Sequence, residues 1–474
     1  MPLGSVADFL TENAEALTEL SDGIWNTPEL ALHETKSSET LAAALEAGGF
    51  AVQRGVAGMP TAFTATYGEG APVIALLGEF DALPGLSQSR GAVEPRPIVV
   101  NGPGHGCGHN LLGTAPAGAA MAVRHAIRRG DVQGTVRFYG CPAEETVVGK
   151  VFMVKAGLFR DVDCALTWHP GPVNRIMAEP HTALNSARFT FHGVSAHAAT
   201  PEHGRSALDA VELMNVGCNF LREHVPSSTR IHYVITDGGL APNVVPPRAE
   251  VWYYVRAPRR AQVEEIYARV LDVARGACLM TGTTHEVRLV AGCYDTLQCR
   301  TIDDLLHETM EAVGAPKFTG EEHAWARALQ ASFPEGTMRK ALDELRRRGT
   351  VLGEPGDPRA TLVETILPNN GYSESAGGST DVGDVSYVVP TGEIRAVTAP
   401  VGTPGHSWQF CAAAGSRIGR RGMLFASKVL ATAACELMRG PALLAKARDE
   451  HRRATAEAPY VSPVRALDRP PIDL

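Results

Sequence analysis

Potential metal ligands are concentrated in one glycine-rich segment, residues 104–110 (GHGCGHN). His105, Cys107 and His109 bring two imidazoles and a thiol close together in the chain, and nitrogen and sulfur are ligands that zinc prefers. A thiol near the beginning of a helix is biased toward the thiolate, the form that binds metal. The simpler interpretation is a glycine-rich turn with incidental histidines, and the segment alone does not decide between the two.

A pair of adjacent carboxylates, Glu144 and Glu145, follows the segment 135–139. Such a pair can divide two tasks, because one carboxylate can bind a metal ion while the other acts as general base toward a metal-activated water. Acidic residues are also common in the first turn of a helix, where they interact favourably with the helix dipole. For this pair alone, the helix-terminus interpretation is the simpler one.

Two further histidines stand alone in the sequence, His169 in TWHP and His406 in GTPGHSW. His169 shares a feature with the glycine-rich segment 104–110 and with the glutamate pair: each of them follows a predicted strand. Ligands gather at the carboxyl ends of the strands in open α/β sheets. One cysteine, three histidines and a glutamate together are typical of a two-metal hydrolytic centre in which one ligand bridges the ions.

Short strands and helices alternate in the part of the chain that carries these residues. The predicted strands are 73–77, 98–100, 135–139 and 163–168. The predicted helices are 5–20, 37–48, 111–129 and 149–156. This alternation predicts an α/β domain with a mixed, mostly parallel sheet.

The pattern changes near residue 186, where a half-exposed strand of alternating apolar and polar residues begins. The elements that follow are predicted as strand 187–192, helix 206–224, strands 231–236 and 249–256, helix 262–281 and strand 286–290. This β-α-β-β-α-β order predicts a small α+β sandwich inserted into the α/β domain. Residues 350–378 are rich in turn-forming types and are predicted to form a long surface loop.

Composition excludes several classes of protein. The chain has 474 residues, 44% of them apolar, and a net charge of −8, which disfavours disorder and a general nucleic-acid binder. No segment is typical of a signal peptide or a membrane span. Nine scattered cysteines without a CxxC pair favour reduced thiols in a cytoplasmic protein over a disulfide framework.

Six segments occur in the same order as in the M20 family of metallopeptidases and amidohydrolases, which the chain resembles from about residue 10 to 460. They are 78–84 (GEFDALP), 105–110 (HGCGHN), 142–145 (PAEE), 168–170 (WHP), 195–199 (SAHAA) and 402–406 (GTPGH). The chain is most similar to the amidohydrolase branch in which a cysteine replaces the bridging aspartate. The resemblance implies a zinc-peptidase-like catalytic domain, 1–185 and 294–474, interrupted by a lid and dimerisation domain, 186–293.

The resemblance also implies a ligand set for two divalent ions per chain. Cys107 would bridge the ions, His109 and His169 would complete one site, and Glu145 and His406 would complete the other. Zinc or manganese is expected, with cobalt also possible, because thiolate and imidazole suit zinc and a carboxylate accepts the other two.

Other roles carried over from the family concern catalysis and substrate. Glu144 would be the general base, and Asp81 would orient a ligand from outside the coordination shell. His197 would stabilise the oxyanion, often in the partner subunit's active site. Asn243 would contact the substrate, and Arg256 would pair with a substrate carboxylate.

One departure from the family concerns the first motif. Glu79 stands where the peptidase branches have a histidine ligand two residues before Asp81. The first motif is therefore expected to supply no direct ligand here.

Three functions are compatible with these residues. The first is hydrolysis of an amide bond between an aryl or acyl group and an amino acid, such as p-aminobenzoyl-glutamate. The second is hydrolytic deamination of an amino-aromatic compound on the same two-metal site. The third is a non-catalytic or regulatory subunit, against which the complete ligand set argues. The expected partners are a small-molecule substrate and either a second copy of the chain or a related subunit, with no nucleic acid or membrane.

Overall fold

Two β-sheets and the helices packed on them account for most of the described chain. The computed structural model describes residues 4–347, 349–354, 357–370 and 378–472. The strands are β1 (Ala51–Arg54), β2 (Phe63–Gly68), β3 (Val73–Glu79), β4 (Thr135–Cys141), β5 (Cys164–Gly171), β6 (Arg175–Ile176), β7 (Ala183–His192), β8 (Arg230–Asp237), β9 (Arg248–Ala257), β10 (Thr284–Cys293) and β11 (Thr391–Val397). The helices are α1 (Gly4–Glu12), α2 (Ala14–Trp25), α3 (Thr35–Ala47), α4 (His109–Arg129), α5 (Gly149–Lys155), α6 (Ala207–Leu221), α7 (Arg260–Thr281), α8 (Arg300–Val313), α9 (Gly320–Gln330), α10 (Thr337–Arg347), α11 (Val382–Ser386), α12 (Trp408–Ala414), α13 (Arg417–Arg439) and α14 (Pro441–Thr455).

The first sheet has seven strands in the order β1-β2-β4-β3-β5-β11-β6. The four central strands β4, β3, β5 and β11 run parallel, whereas the edge pairings of β1 with β2, β2 with β4 and β6 with β11 are antiparallel. Long connections that contain helices permit the parallel pairings. Because the central strands are parallel, the residues at their carboxyl ends meet at one edge of the sheet.

Helix α4 packs closely on β3 because small residues line the contact. A Cβ atom at Gly113 would lie 2.6 Å from the carbonyl oxygen of Glu79, so only glycine permits this approach. The close contact fixes the first residue of α4, His109, beside the carboxyl end of β3.

The second sheet has four antiparallel strands in the order β10-β7-β9-β8. Its strand β9 alternates buried and partly exposed residues, as expected of a sheet with one covered face. Phe189 and Tyr253 from the sheet form one core with Val211 of α6 and Val270 of α7. The predicted β-α-β-β-α-β order and the mixed α/β class of the first sheet are both confirmed.

The chain divides into two compact units. The first unit holds the described residues up to Glu179, those from Leu297 to 370, and Val385–Tyr460. The second unit holds Pro180–Thr296 together with the short segments 378–384 and 461–472. Naming them catalytic and lid domains remains a prediction.

Three predicted elements differ in the structure. The predicted helix 5–20 is two helices, α1 and α2, separated at Asn13, where the backbone leaves helical geometry. The predicted strand 98–100 is wrong: Ile98 and Val100 are 65% and 79% exposed, and a strand needs a hydrogen-bonded neighbouring strand that these residues lack. His169 lies within β5 rather than after it.

The predicted loop 350–378 falls partly outside the described residues, which omit 355–356 and 371–377. Its described part contains a short 3₁₀ turn at Pro358–Ala360 and no strand or α-helix. None of the described helices is long and apolar enough to cross a membrane.

Candidate metal centre

Two groups of possible ligands in the first unit share the thiol of Cys107. One group contains Cys107, His109 and His169, and the other contains Cys107, Glu145 and His406. In each group the candidate ligand atoms lie within 4.8 Å of one another. Cys107 Sγ is 3.4 Å from His169 Nε2, and Glu145 Oε2 is 3.4 Å from His406 Nε2. The five residues predicted to hold two metal ions are therefore brought together.

Four separate elements deliver these side chains, and one of them is strand β5, which carries His169. Cys107 precedes α4, with Gly108 in the left-handed region (φ 79°) turning the chain into the helix. Glu145 lies in a 3₁₀ turn that follows β4. The loop before α12 carries His406, whose backbone N–H donates to the Gly106 carbonyl at 3.2 Å, so two loops distant in sequence are tied together at the site.

Asp81 orients His109 and fixes the turn that carries Glu145. Its Oδ1 accepts a hydrogen bond from His109 Nδ1 at 2.8 Å, and its Oδ2 accepts one from the Glu145 backbone N–H at 2.9 Å. Burial alone would raise the pKa of Asp81, but the charge and hydrogen bond of His109 lower it below its ordinary value. With Nδ1 engaged, Nε2 of His109 faces the other ligands.

The turn that carries the two glutamates has an unusual backbone. Ala143 and Val147, on either side of the turn, adopt left-handed conformations with φ of 57° and 52°, which non-glycine residues rarely adopt. Glu34 Oε1 accepts a hydrogen bond from the Ala143 N–H at 2.8 Å and so holds this conformation. Glu34 could not be predicted from the sequence, since nothing in its local pattern links it to a turn 109 residues away.

Burial and like charges raise the pKa values of the acidic groups of the site. Burial, with the charges of Glu79 and Glu145, raises the pKa of Glu144 well above its ordinary value. Burial likewise raises the pKa of Glu145 to about 7. Divalent cations would relieve this repulsion, because they interact favourably with the ionised carboxylates.

The Cys107 thiol does not follow the prediction made from its place before a helix. Burial and the charge of Glu145 raise its pKa to about 12. The protein groups alone favour the thiol, and a bound divalent cation would favour the thiolate.

Glu79 and Lys150 form a buried ion pair next to the ligands. Lys150 Nζ is 2.7 Å from Glu79 Oε1, and both side chains are almost completely buried. Glu79 Oε2 is 3.5 Å from His109 Nε2, and Glu79, His109 and Glu144 form a third group of closely spaced potential ligands. The sequence predicted no direct ligand from Glu79, and the ion pair occupies one of its oxygens. Lys150 was not predicted as a site residue, since it lies in α5 next to the apolar residues 151–154.

His105 is separate from the ligand groups, contrary to its grouping with Cys107 and His109 in the sequence. Its Nε2 donates to the Ile24 carbonyl at 3.2 Å, and it belongs to none of the three groups found among the described residues. Burial lowers the pKa of His105 to about 4, so it is a neutral residue of the protein interior.

Two buried polar atoms support the fit of this site to metal ions. His109 Nε2 and Glu145 Oε1 have no hydrogen-bond partner among the described residues, although buried polar atoms are normally hydrogen-bonded. Both point into the ligand groups that contain Cys107. A set of thiolate, imidazole and carboxylate ligands suits zinc and can also bind manganese or cobalt.

The remaining predicted site residues lie in the second unit. His197 is exposed, and its Nδ1 accepts a hydrogen bond from the Ala199 N–H at 2.9 Å. The Ala198 N–H donates to the Asn243 carbonyl at 3.0 Å, so His197 and Asn243 lie on adjoining loops. Arg256 lies on β9, with its guanidinium 5.4 Å from the centre of the Tyr254 ring.

Comparisons with known proteins agree in family and fold. Residues 181–279 match a family model described as a peptidase dimerisation domain. The chain is 42% identical to one of the p-aminobenzoyl-glutamate hydrolase subunits of Escherichia coli K12, covering 97% of this chain and 96% of that protein. It is 30% identical to the Xaa-Arg dipeptidase of Mus musculus, covering 94% and 91%. A solved structure from Bacillus subtilis, described as a dinuclear metal-binding peptidase of the M20 family, has a similar fold, with a TM-score of 0.58 and 18% identity over 90% of this chain and 99% of that one.

Proposed function

The chain belongs to the M20 family of peptidases and amidohydrolases, which hydrolyse amide bonds, and on that premise we propose its substrate and the roles of its residues. The proposed substrate is an aryl or acyl group joined through an amide to an amino acid, with p-aminobenzoyl-glutamate as the first compound to test. Its support is the near full-length similarity to a hydrolase subunit named for that compound.

The observation that carries the proposal is the sharing of Cys107 by two ligand groups. Cys107, His109 and His169 would hold one divalent ion, and Cys107, Glu145 and His406 would hold the other. When bound there, the ions polarise the amide carbonyl and make water a better nucleophile at neutral pH. Zinc or manganese is the proposed metal, with cobalt as a further possibility.

The protein's own groups then handle protons and orientation. Glu144 takes the proton of the attacking water and delivers it to the leaving amine, while Asp81 keeps His109 in position. His197 stabilises the negative oxygen of the tetrahedral intermediate. Asn243 and Arg256 contact the substrate, Arg256 through a carboxylate.

Assembly with a second chain is part of the proposal. The matched region 181–279 is described as a dimerisation domain, and the E. coli relative is named as one subunit of a hydrolase. The partner is therefore a second copy of this chain or a related subunit, and its His197 would serve the neighbouring active site. The proposed location is the cytoplasm, as the cysteine usage suggests.

A dipeptide is the second candidate substrate. The 30% identity to a dipeptidase named for arginine-containing dipeptides covers almost the whole chain. Since both candidate reactions cleave an amide next to an amino acid, they use the same metal centre and differ only in what the substrate pocket accepts.

A substrate panel tests the proposal. Metal-loaded protein is incubated with p-aminobenzoyl-glutamate, several N-acyl amino acids, Xaa-Arg dipeptides and aminobenzoates, and the products are identified by mass spectrometry. We expect free amino acid from the first two classes and about two metal ions per chain by elemental analysis. Release of ammonia alone would show that the reaction is hydrolytic deamination and not cleavage of an amide between an acyl group and an amino acid. Failure to bind metal after reconstitution would overturn the proposal.

A further inference from the structure

Three basic side chains stand in a row on one face of the first sheet. His169 of β5 is paired in register with Arg395 of β11, and Arg395 is paired in register with Arg175 of β6. Residues paired in register project from the same face, and neighbouring strands lie about 4.8 Å apart. Two guanidinium groups therefore lie one and two strands away from a candidate metal ligand.

Arg395 forms no close ion pair with an acidic group among the described residues. Its Nε is buried and has no hydrogen-bond partner, and its guanidinium forms no ion pair within the ranges that the structure describes. The aliphatic part of the side chain packs against Gly171, with Cδ 3.6 Å from the position of a Cβ there. Burial and the neighbouring charge of Arg175 lower the pKa of Arg395, so its positive charge is held at a cost that an anion would offset.

Of the two guanidinium groups, Arg395 is the one that remains available to bind a ligand. Arg175 is already paired, since its Nη1 lies 2.6 Å from Glu179 Oε1. Glu393 lies two residues before Arg395 on the same face and acts on it electrostatically, as do Glu344 and the Cys107 sulfur. None of these acidic groups forms an ion pair with Arg395 within the described part of the chain.

We propose that Arg395 binds the carboxylate of the amino-acid half of the substrate beside the metal centre, with Arg175 adding to the local positive charge. This inference rests on the proposed function. A guanidinium can hold a carboxylate through two parallel hydrogen bonds. Arg395 lies one strand from His169. A substrate carboxylate bound by Arg395 would therefore be only a few bonds from an amide carbonyl at the metal ions.

Kinetics of Arg395→Met test the role in substrate binding. The Michaelis constant for p-aminobenzoyl-glutamate should rise roughly tenfold to a hundredfold, the cost of losing a charged hydrogen bond, while kcat and the metal content change little. Two analogues, each with one glutamate carboxylate replaced by an amide, separate this role from that proposed for Arg256. Wild-type protein should lose a similar factor on one of the two analogues, and Arg395→Met should lose no more on that analogue. Arg395→Lys, which keeps the charge without the planar fork, should recover part of the loss.

Arg137→Met is the matched control, because it removes a partly buried guanidinium from the same face of the sheet, paired there with Asp161. It should leave the Michaelis constant unchanged. An unchanged constant in Arg395→Met, or the same penalty in Arg395→Met as in wild type on both of the single-amide analogues, would overturn the inference.

A binding measurement separates this inference from the proposed function. Calorimetry with free L-glutamate needs no turnover: metal-loaded wild-type protein and Arg137→Met should bind it, and Arg395→Met should bind it roughly tenfold or more weakly. If the substrate panel fails but this difference is seen, the carboxylate site stands and the proposed reaction falls. If wild-type protein and Arg395→Met bind glutamate equally, or neither binds it, the carboxylate site falls.

Discussion

Glu144 and Glu145 are neighbours in the chain but belong to different surroundings. Glu145 lies with Cys107 and His406, whereas Glu144 lies with Glu79 and His109. The 3₁₀ turn separates the two side chains in this way, because its backbone is held by hydrogen bonds from Ala143 and Glu145 to other parts of the first unit. This separation supports the proposed roles of Glu145 as a metal ligand and of Glu144 as the general base.

Replacing Glu144 with glutamine should remove catalysis and keep the metal. The amide cannot accept the proton of water, so kcat should fall roughly a hundredfold to ten-thousandfold, while elemental analysis still finds about two ions per chain. Glu308→Gln, on an exposed position of α8, is the control and should behave as wild type. Activity retained in Glu144→Gln would remove Glu144 from the mechanism.

Lys150 compensates the charge of Glu79 inside the protein. Removing one partner of a buried ion pair leaves an unpaired charge, so Lys150→Met should lower the free energy of unfolding by about 3–5 kcal/mol. The double variant Glu79→Gln/Lys150→Met should recover much of this loss, because both charges of the pair are then removed. Urea unfolding of the single and double variants measures the difference, and a double variant less stable than Lys150→Met would contradict the pairing.

At the scale of elements, the close approach of α4 to β3 sets the position of the site. His109 is the first residue of α4, and Asp81 follows β3, so the helix must lie near the strand for their hydrogen bond to form. Gly113 is the residue that permits the approach. The packing of one helix therefore controls the geometry of a candidate metal ligand.

Gly113→Ala should destabilise the protein and weaken metal binding. The added methyl group meets the Glu79 carbonyl, and overpacking of this kind costs about 1–3 kcal/mol. Gly276→Ala is the matched control, since a Cβ at that position of α7 meets nothing within 4 Å, and it should be neutral or stabilising by about 0.4–1 kcal/mol. Thermal unfolding with and without zinc measures both effects. Equal behaviour of the two variants would show that the α4 contact has no such role.

At the scale of the whole molecule, the second unit presents an exposed apolar edge. Strand β8 is an edge strand of its sheet, and its Val234 and Ile235 are 55% and 41% exposed. On α6, Phe220 is 70% exposed. Exposed edges that carry apolar residues are usually covered by another chain, which supports the proposed assembly through this unit.

Val234→Lys should convert a dimer to a monomer. A charged side chain on an edge strand opposes strand pairing between chains, so light scattering coupled to size exclusion should report half the mass of the wild type. Val388→Lys, at a similarly exposed valine of the first unit, should leave the mass unchanged. A wild-type mass for Val234→Lys would place the interface elsewhere.

Much of the fold and most of the candidate ligand set could be predicted from the sequence. Short apolar runs indicate buried strands such as β3, and the alternation of apolar and polar residues along β9 indicates a sheet with one covered face. The ligand segments could be found because strand ends in a parallel sheet meet at one edge. The apolar run 98–100 failed as a strand because apolar composition does not supply a neighbouring strand.

Only the tertiary structure decided which side chains act together. It separated His105 from Cys107 and His109 and paired Lys150 with Glu79. It also brought Glu34 to the turn at Ala143, and it placed Arg395 beside His169 without an ion pair among the described residues. It also reversed the expected ionisation of the Cys107 thiol, through burial and the charge of Glu145. The periodicity of apolar residues indicates which face of a helix or strand is buried. Hydrogen bonds, ion pairs and pKa values instead depend on contacts between segments that are distant in the chain. A single sequence contains no pattern that specifies those contacts.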